Sequence, residues 1–274
     1  MIPFDFEYYR PASIKEAIET YEQLQADGKT IVYISGGTEF ITFSRVNQMN
    51  ADAVIDIKGI PECTLLEEQD DQLVMGSAVS LNTITESGLF PLLGEKLRRI
   101  ADHTSRNKIT IGGNLNSHFI YREGVLPLLI SDAQVKIAGM DEEEILPLET
   151  LKLEQGQFLT QIFVDKAYVD LPFKNVKKTK VSTVAYPIVS ISALVKEKQM
   201  RVAMSGVCEY PFRSIEIERV INDFSRSAEE RVNEAIGVLP GPVIGDIEAS
   251  APYREFVLKQ ALSETIAALE GEIQ

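Results

Sequence analysis

The chain has 274 residues, 45 % of them apolar and 25 % charged, with a formal net charge of −14. This length and balance suit one large or two ordinary globular domains and exclude general disorder, and the negative charge disfavours nucleic acid and anionic membranes as partners. Two cysteines, Cys63 and Cys208, are too few for an iron–sulfur cluster or a four-cysteine zinc site and read as buried thiols in a reducing compartment.

In chain order, the opening MIPFDFEYYRP has neither a basic start nor an apolar run, so no export signal is expected and the chain reads as cytoplasmic. No apolar stretch approaches the roughly 18 residues needed to span a bilayer. Ser13 and Glu16 have capping-box spacing, and Ile14, Ala17, Ile18, Tyr21 and Leu24 repeat at helical spacing up to Gly28. A short strand at 30–35 runs into Gly36-Gly37-Thr38, a helix is expected over 39–49, and a second strand at 53–57. Strand, glycine turn, helix and strand within about 30 residues is the size of one crossover unit.

Beyond Pro61, short strands such as 72–79 alternate with short helices, one expected over 92–103. Residues 109–111 look like another strand ending in paired glycines, Gly112-Gly113. After the apolar run 125–130 comes a strand at 133–138, and 141–144 reads as a solvated acidic hairpin tip. The composition changes near residue 166. Lys174, Lys177, Lys178 and Lys180 form the one basic stretch, either a docking patch or a solvated strand end. Strands at 187–196 and 199–207 look paired, and an amphipathic helix from Tyr253 carries Leu258, Ala261, Leu262, Ile266 and Leu269 on one face. Two domains are expected, 1–165 (with parts at about 1–57 and 58–165) and 166–274.

Glycine permits positive φ and close approach to backbone N–H donors, and a run of such donors forms a concave nest for phosphate oxygens. Two glycine pairs at strand ends suit a diphosphate clamped from both sides, although either pair alone also reads as a tight turn. The G-x-G-x-x-G fingerprint, the P-loop and H-E-x-x-H are absent. The only histidines, His103 and His118, exclude a histidine-rich metal site, and no G-x-S-x-G elbow supports a nucleophilic triad. No catalytic acid, base or metal ligand stands out.

The order of these motifs resembles the FAD-binding medium subunit of the xanthine dehydrogenase and carbon monoxide dehydrogenase family. The resemblance rests on Phe6-Glu7-Tyr8-Tyr9-Arg10-Pro11 before the first helix, Ser35-Gly36-Gly37-Thr38-Glu39, Val54-Ile55-Asp56-Ile57, and above all Arg106-Asn107-Lys108-Ile109-Thr110-Ile111-Gly112-Gly113-Asn114-Leu115. Phe173-Lys174, Pro211-Phe212-Arg213 and Pro252-Tyr253-Arg254 extend it over nearly the whole chain.

The fold this implies is α+β: the two-part FAD-binding fold of the vanillyl-alcohol oxidase (PCMH) type, then a small α+β C-terminal domain. It implies diphosphate loops at Ser35, Gly36, Gly37, Thr38, Glu39 and Phe40 and at Thr110, Ile111, Gly112, Gly113 and Asn114. Ile100, Glu123, Leu159 and Lys174 fall at further FAD-contact positions. Partners implied are a large molybdopterin-binding subunit and a small subunit with two-iron iron–sulfur clusters, electrons passing through FAD to NAD⁺ or another acceptor. The chain departs from the family at Ile120, where a proline is usual, at Glu123, where Asp is usual, and in 118–122, usually a loop of small residues. Two cysteines also argue against the 4-hydroxybenzoyl-CoA reductase branch, whose medium subunit carries an extra cluster. Two other readings are an assembly subunit that has lost FAD and a stand-alone flavin reductase of the same superfold.

Overall fold

Three short parallel strands open the chain in the computed structural model, which describes residues 1–140 and 142–273. Their order is Glu7–Tyr9, Ala53–Asp56, Ile31–Ile34, with Ile34 level with Asp56. The helix Ile14–Ala26 forms as predicted, and Ser13 Oγ accepts from the Glu16 N–H at 3.1 Å. The Glu16 carboxylate takes the N–H of Ala12 at 2.7 Å, one residue before the reciprocal partner of an ideal capping box. Its Ile14, Ala17, Tyr21 and Leu24 bury against Ala53, Ile55 and Ile57. Each fully buried aliphatic side chain contributes about 1.5–3 kcal/mol. The expected crossover is present, its helix confined to Thr38–Arg45. The strand Glu7–Tyr9 lacks a period of its own and forms by pairing with Ala53–Asp56.

An antiparallel five-stranded sheet follows, in the order Leu66–Gln69, Gln72–Gly76, Phe158–Asp165, Gln134–Ala138, Glu143–Pro147. Of the acidic tip expected at 141–144, Asp141 lies outside the described residues, while Glu143 and Glu144 are exposed on the last of these strands.

Two corrections concern the middle of the chain. Residues 109–111 are not a strand: only an isolated bridge joins Thr110 to Ser80, and Thr110 caps a short helix, Ile111–Leu115. The alternating β-branched residues imitate a strand, but the Thr110 hydroxyl accepts the Gly113 N–H at 3.2 Å and starts the helix. The helix expected over 92–103 is Pro91–Leu97, with Ala101 left-handed (φ 50°) before a separate turn of helix at His103–Arg106.

The residues sort into two compact units, neither continuous in sequence. Met1–Ile84, His103–Ser117 and Ala133–Asp165 make the first; Thr85–Asp102, His118–Asp132 and the chain from Lys166 onward make the second. Composition suggested one cut near residue 166, whereas the segments 85–102 and 118–132 pack with the C-terminal sheet.

That sheet is antiparallel, in the order Phe212–Arg213, Gln199–Ser205, Pro187–Lys196, Phe173–Thr179. The predicted pairing of the two long strands is present, with Leu194 opposite Arg201. The helix Ala251–Leu269 buries Leu258, Leu262, Ile266 and Leu269 in a core shared with Val176, Ile191 and Val202. Two arginines of the sequence landmarks are structural. Arg254, 0 % exposed, donates to the carbonyls of Gly206 (2.6 Å), Ile244 (3.0 Å) and Ile188, and to the Asp246 carboxylate. Arg213 joins Glu218 (2.7 Å) and Asp132 (2.6 Å).

Candidate functional site

The parallel register that sets Ile34 beside Asp56 brings the C-terminal ends of two strands together, the place where ligands of parallel sheets bind. Ser35, Gly36 and Gly37 leave the first of these ends. Gly37 is left-handed (φ 69°) and is the N-cap of the helix Thr38–Arg45, which no side chain caps. Its first-turn N–H groups and the helix dipole make a site for an anion. Glu39 lies in that first turn, and the side chain of Phe40 is buried against Ala51 and Val54, anchoring the loop.

The second glycine loop meets the first directly. Ser35 Oγ and Thr110 Oγ1 are 2.7 Å apart and hydrogen-bonded. Within each pair the two glycines do different work. A Cβ on Gly36 would lie 2.1 Å from the Lys108 carbonyl oxygen, and one on Gly112 would lie 2.6 Å from Ser77 Cβ and 2.7 Å from Ser77 O. These first glycines allow backbone to lie against backbone. Gly113 is exposed, and a Cβ there would meet only Thr110 Oγ1 at 3.0 Å and Ser35 Oγ at 3.7 Å. On Gly37 a Cβ would meet nothing nearer than 3.6 Å. The second glycines are less confined: an added carbon is tight at Gly113 only against the Thr110 hydroxyl and in ordinary contact at Gly37.

The two loops are not equivalent nests. The N–H groups of Ile111, Gly112, Gly113 and Asn114 bond to Val79 O (3.0 Å), Ser77 O (2.8 Å), Thr110 Oγ1 (3.2 Å) and Thr110 O (2.9 Å). The expectation of two sets of outward N–H donors is therefore corrected. Helix capping and bonds to the 77–79 segment engage the second set, so this loop presents the Gly113 surface and the paired hydroxyls. The helix end at 38–40, where no side chain caps the helix, is the stronger candidate for an anion. The arrangement fits a diphosphate: a left-handed glycine at a helix N-terminus, two hydroxyls, and a bare glycine opposite.

Of the remaining expected contacts, Leu159 belongs to this same unit, buried on the strand Phe158–Asp165 opposite Ile137. Ile100, Glu123 and Lys174 belong to the second unit. Glu123 is buried there, its carboxylate accepting from Lys177 Nζ at 2.7 Å and Ser190 Oγ at 2.6 Å. Lys174 pairs with Glu264 at 3.5 Å, and Lys178 with the same carboxylate at 2.6 Å, which holds Glu264 below the usual carboxylate range. Lys180 donates to Ile247 O at 3.2 Å. The basic stretch thus finds partners inside its own unit, on both faces of one strand: Lys174 and Lys178 beside the buried Val176, and Lys177 on the opposite face.

A residue missed in the sequence stands at the first loop. Lys58 Nζ donates to the Ser35 carbonyl at 2.5 Å and to Asp56 Oδ1 at 2.8 Å. Its position two residues after Asp56 at a strand end was the only available signal. Among the described residues no cluster of His, Cys, Asp and Glu could hold a metal ion, and no helix is long and apolar enough to cross a membrane.

Comparison with known proteins gives the family and the fold. The family described as "FAD binding domain in molybdopterin dehydrogenase" matches residues 4–165. The chain is 34 % identical over 175 residues to the carbon monoxide dehydrogenase medium chain of Hydrogenophaga pseudoflava, a match covering 62 % of this chain and 59 % of that one. It is 25 % identical over 276 residues to the nicotine 6-hydroxylase medium subunit of Paenarthrobacter nicotinovorans, covering 94 % and 95 %. Its fold superposes with a TM-score of 0.87 on a chain of H. pseudoflava carbon monoxide dehydrogenase (21 % identity) and on one of quinoline 2-oxidoreductase from Pseudomonas putida 86 (18 % identity), each covering 99 % of both chains.

Proposed function

The chain belongs to the family of FAD-binding domains of molybdopterin dehydrogenases, and from that premise we propose that it is the medium, electron-exit subunit of a molybdenum-containing hydroxylase. The observation that carries this reading is the junction of the two glycine loops, where Ser35 and Thr110 meet between an uncapped helix end and the bare Gly113. Here the Thr38–Arg45 helix end would hold the cofactor diphosphate, and the bonded Ser35 and Thr110 hydroxyls hold the loops at a fixed spacing. By resemblance, Ile100, Glu123, Leu159 and Lys174 would supply further contacts. Flavin supplies the electron exchange that joins single-electron carriers to a two-electron acceptor. The protein's part is binding, orientation and electrostatics, so no side chain is assigned as general acid or base.

The partners in this proposal are a large molybdopterin-binding subunit and a small iron–sulfur subunit, with NAD⁺ or another acceptor taking the electrons. Two cysteines, Cys63 and Cys208, are both buried and too few to ligate a cluster. Burial pushes the Cys63 thiol up to about 12, which keeps it protonated and inert. Co-expression with the large and small subunits is expected to give one complex containing molybdenum, iron and FAD. The chain by itself is expected to pass electrons only from reduced flavin to artificial acceptors. Substrate hydroxylation by the pure chain, free of metal, would overturn the proposal.

A further inference from the structure

We propose that Lys58 is a positioning residue for the diphosphate loop: held between the Asp56 carboxylate and the Ser35 carbonyl, its ammonium fixes the peptide joining Ser35 to Gly36. The assignment rests on the reading of this loop as the FAD site.

The chain of contacts begins in the core. Asp56 ends its strand 3 % exposed, and Tyr8 Oη donates to its Oδ2 at 2.5 Å. Its other oxygen accepts from both the backbone N–H (3.0 Å) and the Nζ (2.8 Å) of Lys58. Burial alone would raise this carboxyl, but the bonds from Lys58 and Tyr8 outweigh it and hold Asp56 below its ordinary range. The ammonium is thereby tethered at its base, and its remaining reach ends on Ser35 O at 2.5 Å.

The consequence for the loop follows from peptide geometry. The peptide joining Ser35 to Gly36 is trans, since no peptide bond among the described residues is cis, so the Ser35 carbonyl and the Gly36 N–H point in opposite directions. A lysine that holds the carbonyl also fixes where the amide points. Glycine on the C-terminal side makes this peptide easy to rotate, and rotation would turn a carbonyl oxygen toward the space proposed for the diphosphate. Ser35 also carries the hydroxyl bonded to Thr110, so Lys58 steadies the junction of both loops. The Lys58 side chain is 39 % exposed, and its charge adds to the attraction for an anion.

The test is titration of the flavin-stripped full-length chain with FAD and with riboflavin, which lacks the diphosphate. Loss of a charge-assisted hydrogen bond corresponds to about a 10- to 100-fold weaker affinity. Lys58→Met should show that loss for FAD, leave riboflavin affinity close to the parent's although the melting temperature falls as the buried Asp56 loses its counter-ion, and be largely rescued by Lys58→Arg. Undiminished FAD affinity in Lys58→Met would overturn the assignment. So would equal losses for both ligands with a lowered melting temperature, which would make Lys58 a fold determinant only. A parent chain that takes up no FAD would bring down the FAD reading and this assignment with it.

Discussion

Gly113→Val is expected to give a folded chain that fails to retain FAD, whereas Gly36→Ala and Gly112→Ala are expected to cut the yield of folded protein sharply. The contrast comes from what each added carbon meets. At Gly36 it would lie 2.1 Å from the Lys108 carbonyl oxygen, a backbone atom that no rotamer change can move. At Gly112 it would press on Ser77 and disturb the 2.8 Å bond from the Gly112 N–H to Ser77 O. Ordinary overpacking costs about 1–3 kcal/mol, and backbone contacts this short belong at or above the top of that range. At Gly113 the nearest atoms are two hydroxyls at 3.0 and 3.7 Å, and the residue is exposed. The branches of valine would fill the space a phosphate must enter. Gly37→Ala is intermediate: it has room, but φ of 69° imposes about 1–2 kcal/mol on any residue with a Cβ. Circular dichroism and soluble yield report folding, and ultrafiltration of bound flavin reports affinity. Parent-like FAD retention by folded Gly113→Val would refute the assignment of that surface to the cofactor.

Glu123→Gln is expected to destabilise the chain by about 3–5 kcal/mol, as loss of one partner from a buried ion pair does. Two buried lysines surround this carboxylate. Lys177 reaches it at 2.7 Å and also donates to Arg99 O at 2.7 Å. Lys96, 0 % exposed, donates to Ser190 Oγ at 3.0 Å and Ile191 O at 2.8 Å, and the Ser190 hydroxyl in turn donates a hydrogen bond to Glu123 at 2.6 Å. Without the carboxylate, positive charge is buried with no counter-ion. Burial lowers Lys96 from 10.5 to about 7, opposed by the attraction of Glu123. Because its folded value is the lower one, the unfolded chain binds more protons between those two pH values. Lys96 therefore makes stability rise with pH across that window. Removing Glu123 takes away an attraction that favours protonated Lys96, so the share of the Glu123→Gln deficit carried by Lys96 should shrink as pH rises toward 7 and be gone above it, where folded Lys96 is neutral in both proteins. Urea denaturation of the flavin-free chain measures both effects. A variant as stable as the parent without flavin would overturn this structural role for Glu123.

Local pattern made much of the fold legible. The crossover of strand, glycine turn, helix and strand, the long hairpin over 187–205 and the C-terminal helix each carry their period within one short window. The FAD family was legible because many weak motifs occur in order, although each glycine pair alone could be a turn. What stayed hidden depends on partners distant in sequence. Thr110 caps a helix while its neighbours imitate a strand, and the role of each glycine depends on Lys108 and Ser77. Lys174, Lys177 and Lys178 look like one basic stretch until strand alternation sends them to Glu264 on one face and Glu123 on the other. Lys58 belongs to no motif, and only the parallel register beside Ser35 reveals it.

The account stands on FAD being held without a covalent bond by this chain's own loops, and flavin content tests that most directly. The full-length chain, purified with FAD present and freed of excess, should show the two-banded visible absorbance of oxidised flavin. On denaturation it should release close to one equivalent of intact FAD. A colourless, folded chain that takes up no FAD at concentrations saturating for related medium subunits would contradict the account.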